Sequence, residues 1–214
     1  MLVIASAGLL TACGAGQSAD LSHADIANVA NVNSSFGSEY KVTSVGPTGI
    51  DPRLLGPQTL PPGMTFDPAD CAKVASQQIV PPGVKGNVAA TTAEGDGNRF
   101  IAMAIETSEA VPRTDLPQNC QRVGFTGPGL RGSVEVVEAP QIDGVHTVGT
   151  HRVLQTTVDG KPGTGELYNY MASFGTFLVI VTANPLVLPD KPVAPVDTQR
   201  ARDLLTAAVA AVKG

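Results

Sequence analysis

Tryptophan is absent, aromatic residues make up only 4% of the 214 residues and charged residues only 15%. With so few large rings, a core must be built from aliphatic and small side chains. Lys and Arg occur singly and the net charge is −5, so no basic stripe is available to neutralise phosphates, and nucleic acid is not an expected partner. No apolar run reaches the roughly 20 residues that a membrane-spanning helix needs. Three histidines and three cysteines leave little material for a metal centre. The templates G-x-S-x-G, S-x-x-K and H-E-x-x-H are all missing, so no hydrolase pattern passes its first test. Neither enzymatic activity nor a cofactor is expected.

What is present is 43% hydrophobic residue, 23 glycines and 17 prolines, a composition of short strands and many turns. The length suits one domain with one substantial core. An apolar stretch from Leu2 to Leu10 ends in Leu10-Thr11-Ala12-Cys13. It is too short to remain as a span, and it stops where a secretory h-region should stop. The four terminal residues look like a lipobox, the bacterial pattern at which a diacylglyceryl group joins the cysteine thiol and the chain is cut. Residues 1–12 are therefore expected to be a signal peptide, Cys13 the lipid attachment site, residues 13–21 a flexible tether and residues 22–214 the folded domain. No Lys or Arg precedes the apolar stretch, which points to a translation start upstream of Met1. The competing reading is a buried helix with an incidental cysteine. Lipid attachment would place the domain in the cell envelope, on the outer face of the cytoplasmic membrane, with the membrane as its first partner.

Setting Cys13 aside leaves Cys71 and Cys120 as an even pair in an oxidising compartment, and their disulfide is the simplest pairing. Two free buried thiols and a metal pair remain as alternatives.

Along the chain, Ser22 is placed to cap a helix running to Asn31, and Glu39 to Val45 alternates as a strand. Pro47 to Pro62 is too rich in breakers for regular structure. Asp67-Pro68 reads as a helix start, with Asp67 as cap and Cys71 in the first turn. Val84–Thr92 and Arg99–Thr107 flank a hairpin loop at Glu94–Asn98. A short helix is predicted over Leu116–Val123, and strands over Ser133–Ala139, Val145–Val158 and Gly165–Ser173. Phe177-Leu178-Val179-Ile180-Val181 is the most continuous apolar run and reads as a central strand buried on both faces. After a proline-rich crossing from Pro185 to Pro195, Asp197 caps a final helix whose apolar stripe is Ala201, Leu204, Leu205, Ala208 and Val212. The expected fold is α+β, a single domain with a mainly antiparallel sheet and helices packed on one face.

Gly127-Pro128-Gly129-Leu130-Arg131-Gly132 matches a dinucleotide-binding pattern by letter, but no strand evidently precedes it and no helix follows, so it reads as a turn. His146 and His151 have an odd spacing on a strand and should point to opposite faces. His23 lies near the tether, and no third or fourth ligand accompanies any of the three. Tyr168, Tyr170 and Phe174 share one face by the period of two. They are candidates for lining an apolar ligand pocket, against the plainer reading that they pack beneath the final helix.

The segment Met64-Thr65-Phe66-Asp67-Pro68-Ala69-Asp70-Cys71, with Pro61-Pro62-Gly63 before it and Cys120 as a later partner, resembles a family of uncharacterised mycobacterial lipoproteins. Gly175 to Ala183 and the Ala/Val-rich last helix are also similar. That family is similar in turn to the extracellular sensor domain of a mycobacterial receptor serine/threonine kinase, a disulfide-bearing sheet-and-helix domain with a cleft. The resemblance implies a non-catalytic, sensor-like role, binding a small molecule, lipid or wall fragment. The alternative is an interaction subunit that meets an envelope protein through its surface. Only the paired Cys71 and Cys120 carry over as site residues.

Overall fold

The computed structural model describes residues 21–50, 63–73, 84–111, 116–158, 161–189 and 191–214. The segments expected to be a signal peptide and tether, with Cys13, lie outside these residues except for Leu21. Nine strands among them form one antiparallel sheet: β1 (Lys41–Gly49), β2 (Thr65–Asp67), β3 (Gly86–Gly95), β4 (Asn98–Thr107), β5 (Arg122–Gly127), β6 (Leu130–Val137), β7 (His146–Val158), β8 (Lys161–Phe174) and β9 (Phe177–Pro185). The spatial order is β1-β3-β4-β9-β8-β7-β6-β5-β2. A 3-10 helix (Ile26–Ser35) and a carboxy-terminal helix, α1 (Thr198–Lys213), cover one face of one half of that sheet. The fold is the α+β arrangement that the alternation of strands and terminal helices implied.

A two-residue turn joins β3 to β4 through Asp96 and Gly97, with φ of 47° and 74°. Positive φ at both central positions is the two-residue hairpin turn whose twist matches the strands, and Asp-Gly supplies it at least cost. This turn is tied to the start of α1. The Asn98 amide donates to Pro195 O at 3.2 Å, and the Asp197 N–H donates to Asn98 Oδ1 at 3.3 Å. Asp197 in turn accepts from the Arg200 N–H at 2.9 Å and caps α1.

Under the helices the sheet presents small residues, with Ala89, Ala93, Ala102, Ala104, Ala172 and Ala183 all buried. Bulk comes from the helix side, where Leu204, Leu205, Val209 and Val212 are at most 3% exposed. The expected stripe on α1 is therefore the packed one. β9 lies fourth in the order, between β4 and β8, and Phe177 to Val181 are buried without interruption.

Several expectations are corrected. The first helix is 3-10 and is capped by Asp25, whose carboxylate accepts from the Ala27 N–H at 2.8 Å, not by Ser22. Ile26, Val29 and Val32 are its buried residues, a repeat of three that suits three residues per turn. β1 continues through Pro47 to Gly49, because it is an edge strand with a register break between Val45 and Thr48, where a missing N–H is tolerated. Asp67 closes β2 instead of capping a helix, and Pro68 holds the cap position of a single 3-10 turn, Ala69–Cys71. The helix expected over Leu116–Val123 shrinks to the turn Gln118–Cys120, and the chain then enters β5.

Replacing Leu205, fully buried between α1 and the sheet, by Ala is expected to cost about 2–5 kcal/mol. Urea unfolding measures this, and a loss below about 1 kcal/mol would contradict the seating of α1.

Candidate functional site

Residues opposed in antiparallel register share a face, so the sheet's two sides can be followed strand by strand. The helix side carries Tyr170, Val181 and Ala102 in the covered half. In the uncovered half the same side carries Thr65 and Asp67 on β2, Gly124 and Thr126 on β5, Arg131 and Ser133 on β6, and Val153 and Gln155 on β7. These residues line an open groove of about 400 Å³. Its lining combines hydroxyls, an amide and one charge of each sign with Val153, two glycines, Phe66 and Phe125. Arg131 donates through Nε to Gln155 Oε1 at 2.5 Å across the β6–β7 pair.

The opposite side of this half is apolar. Val123, Phe125 and Val134 form a small second core with Cys71 and Cys120, and Met64, Phe66 and Leu154 pack against it. The Phe125 ring lies where a Cβ on Gly132 would stand, and the Arg152 guanidinium sits 6.0 Å from its centroid. The disulfide is formed, with Sγ–Sγ 1.95 Å and Cα–Cα 5.5 Å. It joins two matching turns, Pro68-Ala69-Asp70-Cys71 and Pro117-Gln118-Asn119-Cys120. In each the cysteine N–H donates to the proline carbonyl, at 3.1 and 2.8 Å. The Asn119 amide donates to Asp70 Oδ2 at 2.9 Å and links the turns a second time. One turn follows β2 and the other precedes β5, so the bridge pins these two strands, whose pairing spans only Thr65–Asp67 against Gly124–Thr126.

The predicted aromatic residues fall elsewhere. Tyr170 is 1% exposed beneath α1. Burial raises its phenol above the ordinary value, opposed by hydrogen bonds to Arg202 and Thr198. Phe174 stacks on Phe177 with centroids 5.7 Å apart, and the Lys213 ammonium lies 5.4 Å from its ring. Both are core residues, because their strand passes directly under the helix. Tyr168 stands at the boundary between core and groove and stacks on His151 at 4.1 Å. His151 meets Glu166 at 3.2 Å, and burial with the Glu166 charge raises the Tyr168 phenol. None of the three aromatics lines the groove. His146 lies opposite Ser173 and His151 opposite Tyr168, on the two different faces. Among the described residues no group of three His, Cys, Asp or Glu is placed to hold a metal ion. The glycine-rich hexapeptide is the β5–β6 hairpin, with Pro128-Gly129 as its turn. A strand does precede it, and a strand follows.

A second cavity, of about 570 Å³, opens between Ser35, Phe36 and α1. Arg200 already occupies its wall, 5.1 Å from the Tyr40 ring and 5.9 Å from that of Phe36, and it donates to Ser35 O at 3.3 Å. These contacts join the 3-10 helix to α1, which makes the first groove the better candidate. Its residues went unnoticed in the sequence because no strand was expected over Gly124–Thr126, and Arg131 fell in a segment read as a turn, so the alternation across β5 and β6 was not seen.

A family described as a domain of unknown function, DUF5642, matches residues 25–213. The X-ray structure of an uncharacterized protein from Mycobacterium smegmatis, an Rv0999 ortholog, is similar to the chain at 65% identity and a TM-score of 0.83, covering 89% of this chain and 98% of that one. The crystal structure of the extracellular domain of PknH from Mycobacterium tuberculosis matches at 13% identity and a TM-score of 0.36, over 87% and 92% of the two chains. None of the curated proteins matches.

Removing the bridge with Cys71→Ala and Cys120→Ala opens a loop of 49 residues and is expected to cost about 4 kcal/mol on the chain-entropy account. The amides of Thr65–Asp67 should lose exchange protection first. Equal unfolding midpoints with and without reductant would contradict this.

Proposed function

The chain belongs to the DUF5642 family, and on that premise we propose that it is a non-catalytic, sensor-like binding module of the cell envelope, held outside the cytoplasm by a lipid on Cys13. The observation that carries the binding role is the open polar groove on β2, β5, β6 and β7. Polar groups that converge on one concavity orient a ligand. Gly124 lies in its floor, where an added Cβ would meet only Asp67 O, at 3.8 Å. The glycine is thus not required by packing, and its missing side chain keeps the groove open.

The buried disulfide supports the oxidising location. No helix among the described residues is long and apolar enough to cross a membrane, so attachment in this reading falls to Leu10-Thr11-Ala12-Cys13.

A second reading, an interaction subunit, is favoured by Val187, Leu188 and Val193, which are 76%, 41% and 55% exposed in the crossing after β9. This crossing leaves the carboxy end of β9. Leu21 lies against Gly175, at the other end of that strand, so the patch faces away from the place where the tether enters.

Two measurements test the proposal. Cys13→Ala should abolish incorporation of labelled palmitate, and unchanged labelling would exclude that site. Native mass spectrometry of the envelope-expressed chain should show a retained small molecule that Gly124→Val loses. Bare masses for both proteins, with retention of a protein partner, would favour the interaction subunit.

A further inference from the structure

The groove's polar groups stand on a regular grid. Thr126 lies across from Arg131 and Arg131 across from Gln155, while in the next row Asp67 lies across from Gly124 and Gly124 across from Ser133. Neighbouring strands are about 4.8 Å apart and same-face residues about 6.7 Å apart along a strand, spacings comparable to the width of a sugar ring. Gly124 leaves the centre of the grid empty.

The groups themselves are chemically selective. Ser and Thr hydroxyls both donate and accept, which matches a ligand whose own hydroxyls do the same. Phe66 and Phe125 border the groove but pack into the small core on the opposite side, and Val153 is the one apolar residue in the groove-facing rows, so an acyl chain finds little free apolar wall. At one corner the Nε contact to Gln155 holds the Arg131 guanidinium and leaves both Nη groups for a planar anion, which a carboxylate fits in bidentate fashion. At the opposite corner the Asp67 carboxylate accepts from hydroxyls and repels a second acidic group. The net charge of −5 further disfavours a highly charged anion.

We propose that the groove binds a saccharide carrying a single carboxylate, with the acid on Arg131 and ring hydroxyls on Asp67, Thr126 and Ser133. This rests on the binding role assigned to the groove above. Three probes separate the possibilities by amide NMR titration of the intact domain: the disaccharide of N-acetylglucosamine and N-acetylmuramic acid, which bears one lactyl carboxylate; di-N-acetylchitobiose, which lacks it; and anionic phospholipid vesicles. The acidic disaccharide is expected to shift resonances of Thr65–Asp67, Gly124, Thr126, Arg131, Ser133 and Gln155. It should bind about 10- to 100-fold more tightly than the neutral one, the value of one charge-assisted hydrogen-bonded pair. Arg131→Ala should erase that preference, so that the acidic disaccharide binds no more tightly than the neutral one. Gly124→Val should abolish both while its urea midpoint is unchanged or raised. Equal affinity for the two saccharides, or vesicle binding with no saccharide binding, would overturn the proposal. If neither saccharide binds while native mass spectrometry still finds a molecule that Gly124→Val excludes, the ligand class is wrong and the binding role survives. Silence in both experiments overturns both.

Discussion

The Cys71–Cys120 bridge is the constraint on which the outer half of the sheet depends. β2 has only three residues and meets a single partner strand, too little pairing to hold an edge by itself. The bridge joins the two turns at one end of the β2–β5 pair, and the Asp70–Asn119 contact fixes their relative orientation. Once β2 is held, Thr65 and Asp67 become one wall of a groove whose floor and other wall belong to β5, β6 and β7. A covalent link buried beneath a polar surface thus does what helix packing does in the other half of the molecule.

That division explains the asymmetry of the sheet. In the half formed by β3, β4, β9 and β8, one face is alanine-rich and receives the 3-10 helix and α1. The reverse face buries Ile105, Leu178 and Ile180. In the half formed by β7, β6, β5 and β2, only the reverse face is apolar. Thr91 shows how closely the helix layer is tied down on its own side. Its hydroxyl reaches Val29 O at 3.3 Å and Ser44 Oγ at 2.9 Å and is fully enclosed, so a buried polar group is satisfied on both sides.

Legibility followed the same division. The long elements of the covered half could be read from sequence because burial on one or both faces imposes a clear period. The apolar run Phe177–Val181 marked β9, the spacing of Ala201, Leu204, Leu205, Ala208 and Val212 marked α1, and the composition of Glu94–Asn98 marked a hairpin, whose loop is the shorter Asp96-Gly97. The resemblance carried by Met64–Cys71 led to a mycobacterial family, and a Mycobacterium smegmatis chain is 65% identical. The outer half was harder. Arg122–Gly127 mixes glycine, charge and hydroxyls with two apolar residues, since only Val123 and Phe125 face a core, and such a strand resembles a loop. The repeated Pro-x-Asx-Cys turns were a signal, visible at Pro68–Cys71 and Pro117–Cys120, that two equivalent structures face each other. The groove residues were hidden because each becomes a site only through its neighbours on other strands.

The placement of the aromatics bears on what kind of site this chain can offer. With nine aromatics in all, Phe36, Tyr40 and Phe100 form one cluster and Phe174 and Phe177 a stacked pair. Tyr170 is enclosed under α1, and Phe66 and Phe125 serve the small core beneath the groove. Those two border the groove, and Tyr168, at its edge, is engaged with His151. The core has therefore absorbed almost every ring the chain possesses. Recognition in the groove then rests mainly on hydrogen bonds and on Arg131, interactions that are directional and weak in water unless several act together. A surface of that kind gains from rigidity more than from bulk, because fixed partners lose less freedom when a ligand binds. The buried disulfide supplies that rigidity directly below the residues that would use it.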